Sequence, residues 1–206
     1  MEYTEFGKTQ LRVSRMCLGT WGIGGAGWDS YSDESRMDAI KAAVDCGINF
    51  IDTAPAYNGG RAEQYIGEVV HKLGVRKEVI LATKCGNEFI NGKYVRCGSA
   101  DKIMRECEES LRNLKTDYID FGFIHCLDEN ADLAAYEKSG ALKYLLDMQA
   151  QGVVKYIGLS SHAPNLVHQV LDLGILDMLM FSINPMYDYG HGEFSIGSAS
   201  ERYSLY

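Results

Sequence analysis

Two periodicities alternate along this chain, and their alternation restricts the fold more than any other feature of the sequence. Short apolar runs recur at MCLGT (16–20), INFIDTA (48–54), VILAT (79–83), YIDFGFIH (118–125), KYIGLS (155–160) and MLMFSI (178–183). Runs of this length, mostly bounded by glycine or polar turns, are the pattern of strands buried on both faces. Between them the apolar residues fall at helical spacing. One face is Met37, Ile40 and Val44 after Asp33, and a second is Ile66, Val69, Val70 and Leu73. Ser99 is placed to cap a third helix with the face Ile103, Cys107, Leu111 and Leu114. Leu142, Leu145 and Leu146 belong to a fourth, and Leu166, Val167, Val170 and Leu171 to a fifth. Gly47, Gly74, Gly152 and Gly174 stand where helices stop. Strand–helix alternation of this kind implies a parallel sheet with helices outside it.

Two architectures satisfy that pattern, an open doubly wound sheet and a (β/α)8 barrel. The first helix is not opened by the G-x-G-x-x-G spacing of dinucleotide-binding open sheets. The glycine-rich GTWGIGGAG has Gly19, Gly22, Gly24, Gly25 and Gly27, which do not fit it. The expected fold is therefore a barrel. Ahead of the first strand, YTEFGKTQLRVS reads as a hairpin turning at Gly7-Lys8 and placed to plug the barrel bottom. Six strand–helix units are legible, the sixth helix only beginning at Ser198. A barrel needs eight units and typically about 250 residues. The expectation is a single domain over 1–206 that forms about six of eight barrel units.

Composition removes several function classes. A net charge of −8 argues against a nucleic-acid or anionic-membrane partner, since either would need a basic face. The opening MEYTEFGKTQ has no apolar core of a signal peptide, and no apolar run reaches the ~20 residues of a membrane helix. The six cysteines form no C-x-x-C pair, which favours free thiols in the cytoplasm over a disulfide scaffold.

Catalytic groups in such barrels sit at the C-terminal ends of strands. That rule selects Asp52 and, in the turn after it, Tyr57; then Lys84, then His125, with Ser160, Ser161 and His162 on the next strand. Asp52, Tyr57, Lys84 and His125 make a coherent set. A tyrosine hydroxyl titrates near 10 in water, and a neighbouring ammonium lowers that value. A buried lysine needs a carboxylate to remain charged, which is the part open to Asp52. A histidine beside them directs a carbonyl oxygen by hydrogen bonding. Together they protonate a carbonyl oxygen while another group supplies hydride. Each residue alone has a structural explanation, as a turn former, rim packing, a solvated charge or a core histidine. Their convergence at consecutive strand ends favours chemistry.

The motifs GTW (19–21), FIDTAPAY (50–57), ATK (82–84), DYIDFGFIH (117–125), YIGLSSH (156–162) and FSINPMYD (181–188) resemble those of aldo-keto reductases, in the same order from Phe6 to about Asp188. The resemblance implies a catalytic tetrad of Asp52, Tyr57, Lys84 and His125 with Tyr57 as general acid. It further implies NADP(H), less often NAD(H), as hydride donor and an aldehyde or ketone as the small-molecule partner. Cofactor contacts carry over to Gly19, Thr20, Asp52, Ser160, Ser161, Asn184 and Tyr187, with Tyr187 stacking under the nicotinamide. Ser161 stands where the family commonly has asparagine, and Asn184 where it has glutamine. Trp21, Tyr57 and His125 are the substrate-side groups.

The competing readings are a catalytically silent fragment or regulatory barrel that retains the tetrad, and a Schiff-base lyase or isomerase using Lys84. The paired Asp52 opposes the latter, because a Schiff-base lysine must be neutral. No metal is expected. Cys85 and Cys126 follow inward-facing Lys84 and His125, so strand alternation turns their thiols away from the mouth.

Overall fold

The computed structural model describes residues 1–25, 30–90 and 93–181. Its centre is a six-stranded parallel sheet, ordered β10-β9-β8-β5-β4-β3. The strands are β3 (Cys17–Gly19), β4 (Phe50–Asp52), β5 (Ile80–Cys85), β8 (Ile119–Ile124), β9 (Val154–Ser160) and β10 (Met178–Met180). Around it lie α1 (Asp33–Asp45), α2 (Arg61–Leu73), α3 (Ala100–Asn113), α4 (Asn130–Ser139), α5 (Ala141–Ala150) and α6 (Pro164–Asp172). The sheet order follows the chain order without reversal, as right-handed strand–helix–strand crossovers around a barrel require.

Which face the helices cover separates the two architectures left open by the sequence. Ile51 and Leu81 pack with Ile40, Ile66, Val69 and Val70 of α1 and α2. Ile124 and Leu159 pack with Ile103, Leu145, Leu166 and Val167 of α3, α5 and α6. The residues one position away, Phe50, Ile80, Ala82, Phe121, Phe123 and Tyr156, form a separate core on the opposite face. Helices thus cover one face, and the other is lined by the strands' own side chains, as in a barrel interior. In that interior a Cβ on Gly158 would lie 2.5 Å from the Phe123 ring, so glycine lets the aromatic layer close.

The N-terminal hairpin is present as β1 (Tyr3–Phe6) and β2 (Leu11–Ser14), paired Tyr3↔Ser14 and Phe6↔Leu11. Val13 joins the interior core with Phe6 and Leu11 packed against it, and the Tyr156 hydroxyl donates to the Thr9 carbonyl at 3.0 Å. The hairpin therefore closes the N-terminal end. Asp120 fastens the same end, accepting from the Leu81 N–H at 3.0 Å and pairing with Arg76 and Lys155.

Leu146 and Leu171, read from the sequence as parts of apolar helix faces, are exposed, and three further features differ from the sequence reading. A second antiparallel hairpin, β6 (Asn87–Ile90) with β7 (Lys93–Arg96), follows β5. Helix α4 buries only Tyr136, so it carries no apolar stripe to read. Ser99 occupies the N-cap of α3 but caps through its carbonyl, which accepts from the Lys102 and Ile103 N–H groups, rather than through its hydroxyl. The expected sixth helix from Ser198 lies outside the described residues.

Candidate active site

The parity that lines the interior with Phe50, Ala82, Phe121, Phe123 and Tyr156 continues one step further along each strand. It brings Asp52, Lys84, His125 and Ser160 inward at the C-terminal ends of four adjacent strands. Register fixes their heights, since Asp52 pairs with Ala82, Lys84 with Phe123, and Phe123 with Gly158. Tyr57 arrives from the turn after β4, its N–H bonded to the Ala54 carbonyl at 3.0 Å.

The Lys84 ammonium is the hub. Its Nζ donates to Asp52 Oδ1 at 2.7 Å, Asp52 Oδ2 at 2.8 Å, the Thr53 carbonyl at 2.8 Å and the Tyr57 hydroxyl at 3.1 Å. Burial pulls the Lys84 pKa down, but the Asp52 carboxylate and the Tyr57 hydroxyl outweigh it, and the net shift is upward. Lys84 therefore stays charged. Burial lifts the Asp52 carboxyl above its usual range, against the opposing pull of Lys84.

Tyr57 departs from the sequence expectation. Burial raises its pKa and Asp52 adds to the rise, and together they exceed the lowering by Lys84. The phenol thus holds its proton at neutral pH and is present as an acid, with Lys84 offsetting part of the penalty for releasing it.

The His125 ring stands edge-on to Tyr57 with centroids 6.1 Å apart. Burial, then the charges of Lys84 and His162, push its pKa down to about 3. It is a neutral imidazole, suited to hydrogen bonding and not to carrying charge. Its Nδ1 is buried and has no partner among the described residues.

The remaining sequence candidates divide. Trp21 stands half exposed just past β3. Gly19 pairs with Asp52 across the β3–β4 ladder, and the fully buried Thr20 donates through both N–H and hydroxyl to the Asp52 carbonyl. Thr20 thus secures the strand that carries Asp52. Ser160 faces inward, whereas the Ser161 hydroxyl points into the protein, donating to the Leu127 carbonyl at 2.6 Å and lying 3.2 Å from Asp128 Oδ1. Asn184 and Tyr187 lie outside the described residues.

Cys85 is turned into the helical side as alternation requires, but Cys126 is not. Its backbone is left-handed at φ 53, which ends the strand alternation after His125. The Cys126 thiol meets the Ser160 hydroxyl and joins Asp128 and His162 in a cluster whose candidate ligand atoms all lie within 4.8 Å of one another. Sequence reasoning missed Asp128. Its signal was topological: β8 and β9 are neighbours, so residues just past His125 must meet those just past Ser160.

The model of the aldo/keto reductase family matches residues 15–186. The chain belongs to the aldo/keto reductase family. Aldo-keto reductase YhdN of Bacillus subtilis is 38% identical over 161 residues, 78% of this chain and 47% of YhdN. The NADH-specific methylglyoxal reductase of Escherichia coli is 32% identical over 191 residues, 87% of this chain and 58% of that protein. The holo structure of aldo-keto reductase AKR11C1 from Bacillus halodurans superposes with a TM-score of 0.74 at 28% identity, covering 89% of this chain and 58% of that one. This aldo/keto reductase chain spans about half the length of the curated relatives it matches. Its matching strands run from β3 to β10, and no described helix is long and apolar enough to cross a membrane.

Proposed function

We propose that this chain carries the proton-donating half of an aldo-keto reductase site, reducing an aldehyde or ketone with NADP(H), or NAD(H), as hydride donor. The observation that carries the reading is the Lys84 ammonium held at once by both Asp52 oxygens and by the Tyr57 hydroxyl. A nicotinamide dinucleotide, which Gly19, Thr20, Asp52, Ser160 and Ser161 would help to hold, would supply the hydride. The Tyr57 O–H gives its proton to the carbonyl oxygen as the C=O π pair moves onto that oxygen, and the phenolate left behind is stabilised by Lys84. Asp52 keeps Lys84 charged in a buried setting where an unpaired ammonium would lose its proton. Neutral His125 orients the carbonyl oxygen toward Tyr57, and Trp21 borders the substrate. Ser160, at the inward strand end beside the tetrad, fits a carboxamide, while Ser161 acts through the loop it anchors. Gly19, Thr20, Asn184 and Tyr187 complete the cofactor contacts by family resemblance. The name of the Escherichia coli relative supports a small carbonyl substrate and admits NADH.

The test is made in a closed barrel, with this segment joined to the C-terminal units of a relative such as YhdN. Tyr57→Phe keeps the ring and removes the acid. General acid catalysis is worth ~10²–10⁴-fold, so kcat should fall by at least that lower bound while cofactor titration is unchanged. Retention of more than about a tenth of kcat would remove Tyr57 from the role.

A further inference from the structure

We propose that Cys126, Asp128 and His162 form a binding site for a thiophilic divalent metal ion, zinc by ligand type, at the corner of the mouth between β8 and β9. The three side chains offer a sulfur, a carboxylate oxygen and an imidazole nitrogen, all within 4.8 Å of one another. Cys, Asp and His are all established zinc ligands, and three protein ligands with water in the fourth position make a four-coordinate site.

The present distances are close to those of a bound site. The His162 Nδ1 and Asp128 Oδ2 atoms lie 3.1 Å apart. Two ligands at ~2.1 Å from zinc and a tetrahedral angle are about 3.4 Å apart, and a sulfur–nitrogen pair about 3.6 Å. The oxygen and nitrogen therefore need only a few tenths of an ångström, and the thiol on the order of 1 Å, to close on one ion. A half-buried cysteine side chain past the end of its strand makes that movement by side-chain rotation.

The carboxylate is already aimed. Asp128 Oδ1 accepts from the His162 N–H at 2.6 Å and lies 3.2 Å from the Ser161 hydroxyl, which leaves Oδ2 directed at the cluster. The opposing charge is Arg96, 3.2 Å from Oδ2, but Arg96 also pairs with Glu129 at 3.1 Å and Asp132 at 3.0 Å. Three carboxylates thus face one guanidinium, and the local surplus is negative. A dication neutralises it, and Arg96 keeps two partners when Oδ2 turns to the metal. The exchange balances: a metal–sulfur bond replaces the S–H bond of Cys126, and the thiol proton leaves to solvent.

The cluster borders the tetrad at His125 and Ser160 but shares no ligand with it, so metal binding is read without turnover. Cobalt(II) is titrated into the 206-residue chain while near-ultraviolet absorbance is recorded. One cobalt per chain with a thiolate-to-cobalt charge-transfer band is the expected result, accompanied by release of one proton in weakly buffered solution. Cys126→Ser should abolish the band and weaken binding by at least ~100-fold, the upper end of what even an outer-shell partner is worth. His162→Ala should weaken binding to a similar degree and change the visible ligand-field spectrum. Cys46→Ser, at an exposed cysteine away from the cluster, should change nothing. Circular dichroism matched among the variants keeps a folding defect from mimicking ligand loss. A band that survives Cys126→Ser, or disappears in Cys46→Ser, overturns the site, and so does the lack of any stoichiometric binding. Because Tyr57 and Lys84 take no part in this readout, its failure leaves the proposed reduction standing, and the converse holds.

Discussion

The neutral state of His125 ties the stability of the fold to pH. An unfolded histidine titrates near 6.5, whereas burial and the charge of Lys84 hold His125 down to about 3 in the folded chain. Above about 6.5 both states are neutral and the residue exacts no penalty. As pH falls below that value the unfolded state takes up a proton that the folded state refuses. Stability therefore drops by up to ~1.4 kcal/mol per pH unit until the folded pKa is reached, on the order of 5 kcal/mol in all. His125→Gln removes this titration. In the closed barrel, urea unfolding between pH 6 and pH 4 should show a shallower loss of stability for the variant than for the parent. Equal slopes would mean that the folded ring protonates at an ordinary pH, and the neutral role assigned to it would fail with them. Tyr57 makes the complementary point about acidity. Its sequence neighbours say nothing of burial, so the lowering by Lys84 was legible and the larger opposing effect was not.

At the scale of elements, the approach of α2 to the end of α3 depends on one atom being absent. A Cβ at Gly67 would lie 2.1 Å from the Asn113 carbonyl oxygen and 2.9 Å from the Leu114 backbone. Backbone cannot rotate aside, so the helices must separate. Replacing glycine by alanine in a helix gains roughly 0.5–1 kcal/mol from propensity, while overpacking of this kind costs typically 1–3 kcal/mol or more. The sign is set by the larger figure: Gly67→Ala should lower the denaturation midpoint, and an unchanged or raised midpoint would show that the two helices have slack. The strands and five of the helices were legible because each buries a periodic face, as with Ile66, Val69 and Val70 on α2. Helix α4 was not, since Tyr136 alone is buried there, and the β6–β7 hairpin pairs by itself outside the central sheet. The tetrad was legible for a simpler reason. Strand parity and the C-terminal rule select Asp52, Lys84 and His125 without any contact map. Cys126 escaped that reasoning because a single left-handed residue resets the parity.

For the molecule as a whole, the sheet has two ends. Among the described residues β3 and β10 each pair on one side only, β3 with β4 and β10 with β9. Unpaired strand edges beside an apolar interior are templates for association. Met178 and Met180 are only partly buried at one end, and Leu18 at the other. The chain also spans about half the length of the relatives it matches, although the tetrad is already assembled within it. Among the described residues the Asp52–Lys84–Tyr57 contacts form in a sheet whose two ends are unpaired, and site assembly and barrel closure are expected to part in experiment. The 206-residue chain purified alone should self-associate in light scattering, bind NADPH weakly and show no measurable aldehyde reduction. Joined to the C-terminal units of a relative, the same segment should become a monodisperse barrel that binds NADPH and turns over. Remote contacts to a dinucleotide supply much of the energy that positions its reactive ring, so cofactor affinity and turnover are expected to rise together on closure. A monodisperse monomer of the 206-residue chain that binds NADPH at micromolar concentration and reduces an aldehyde would falsify this separation.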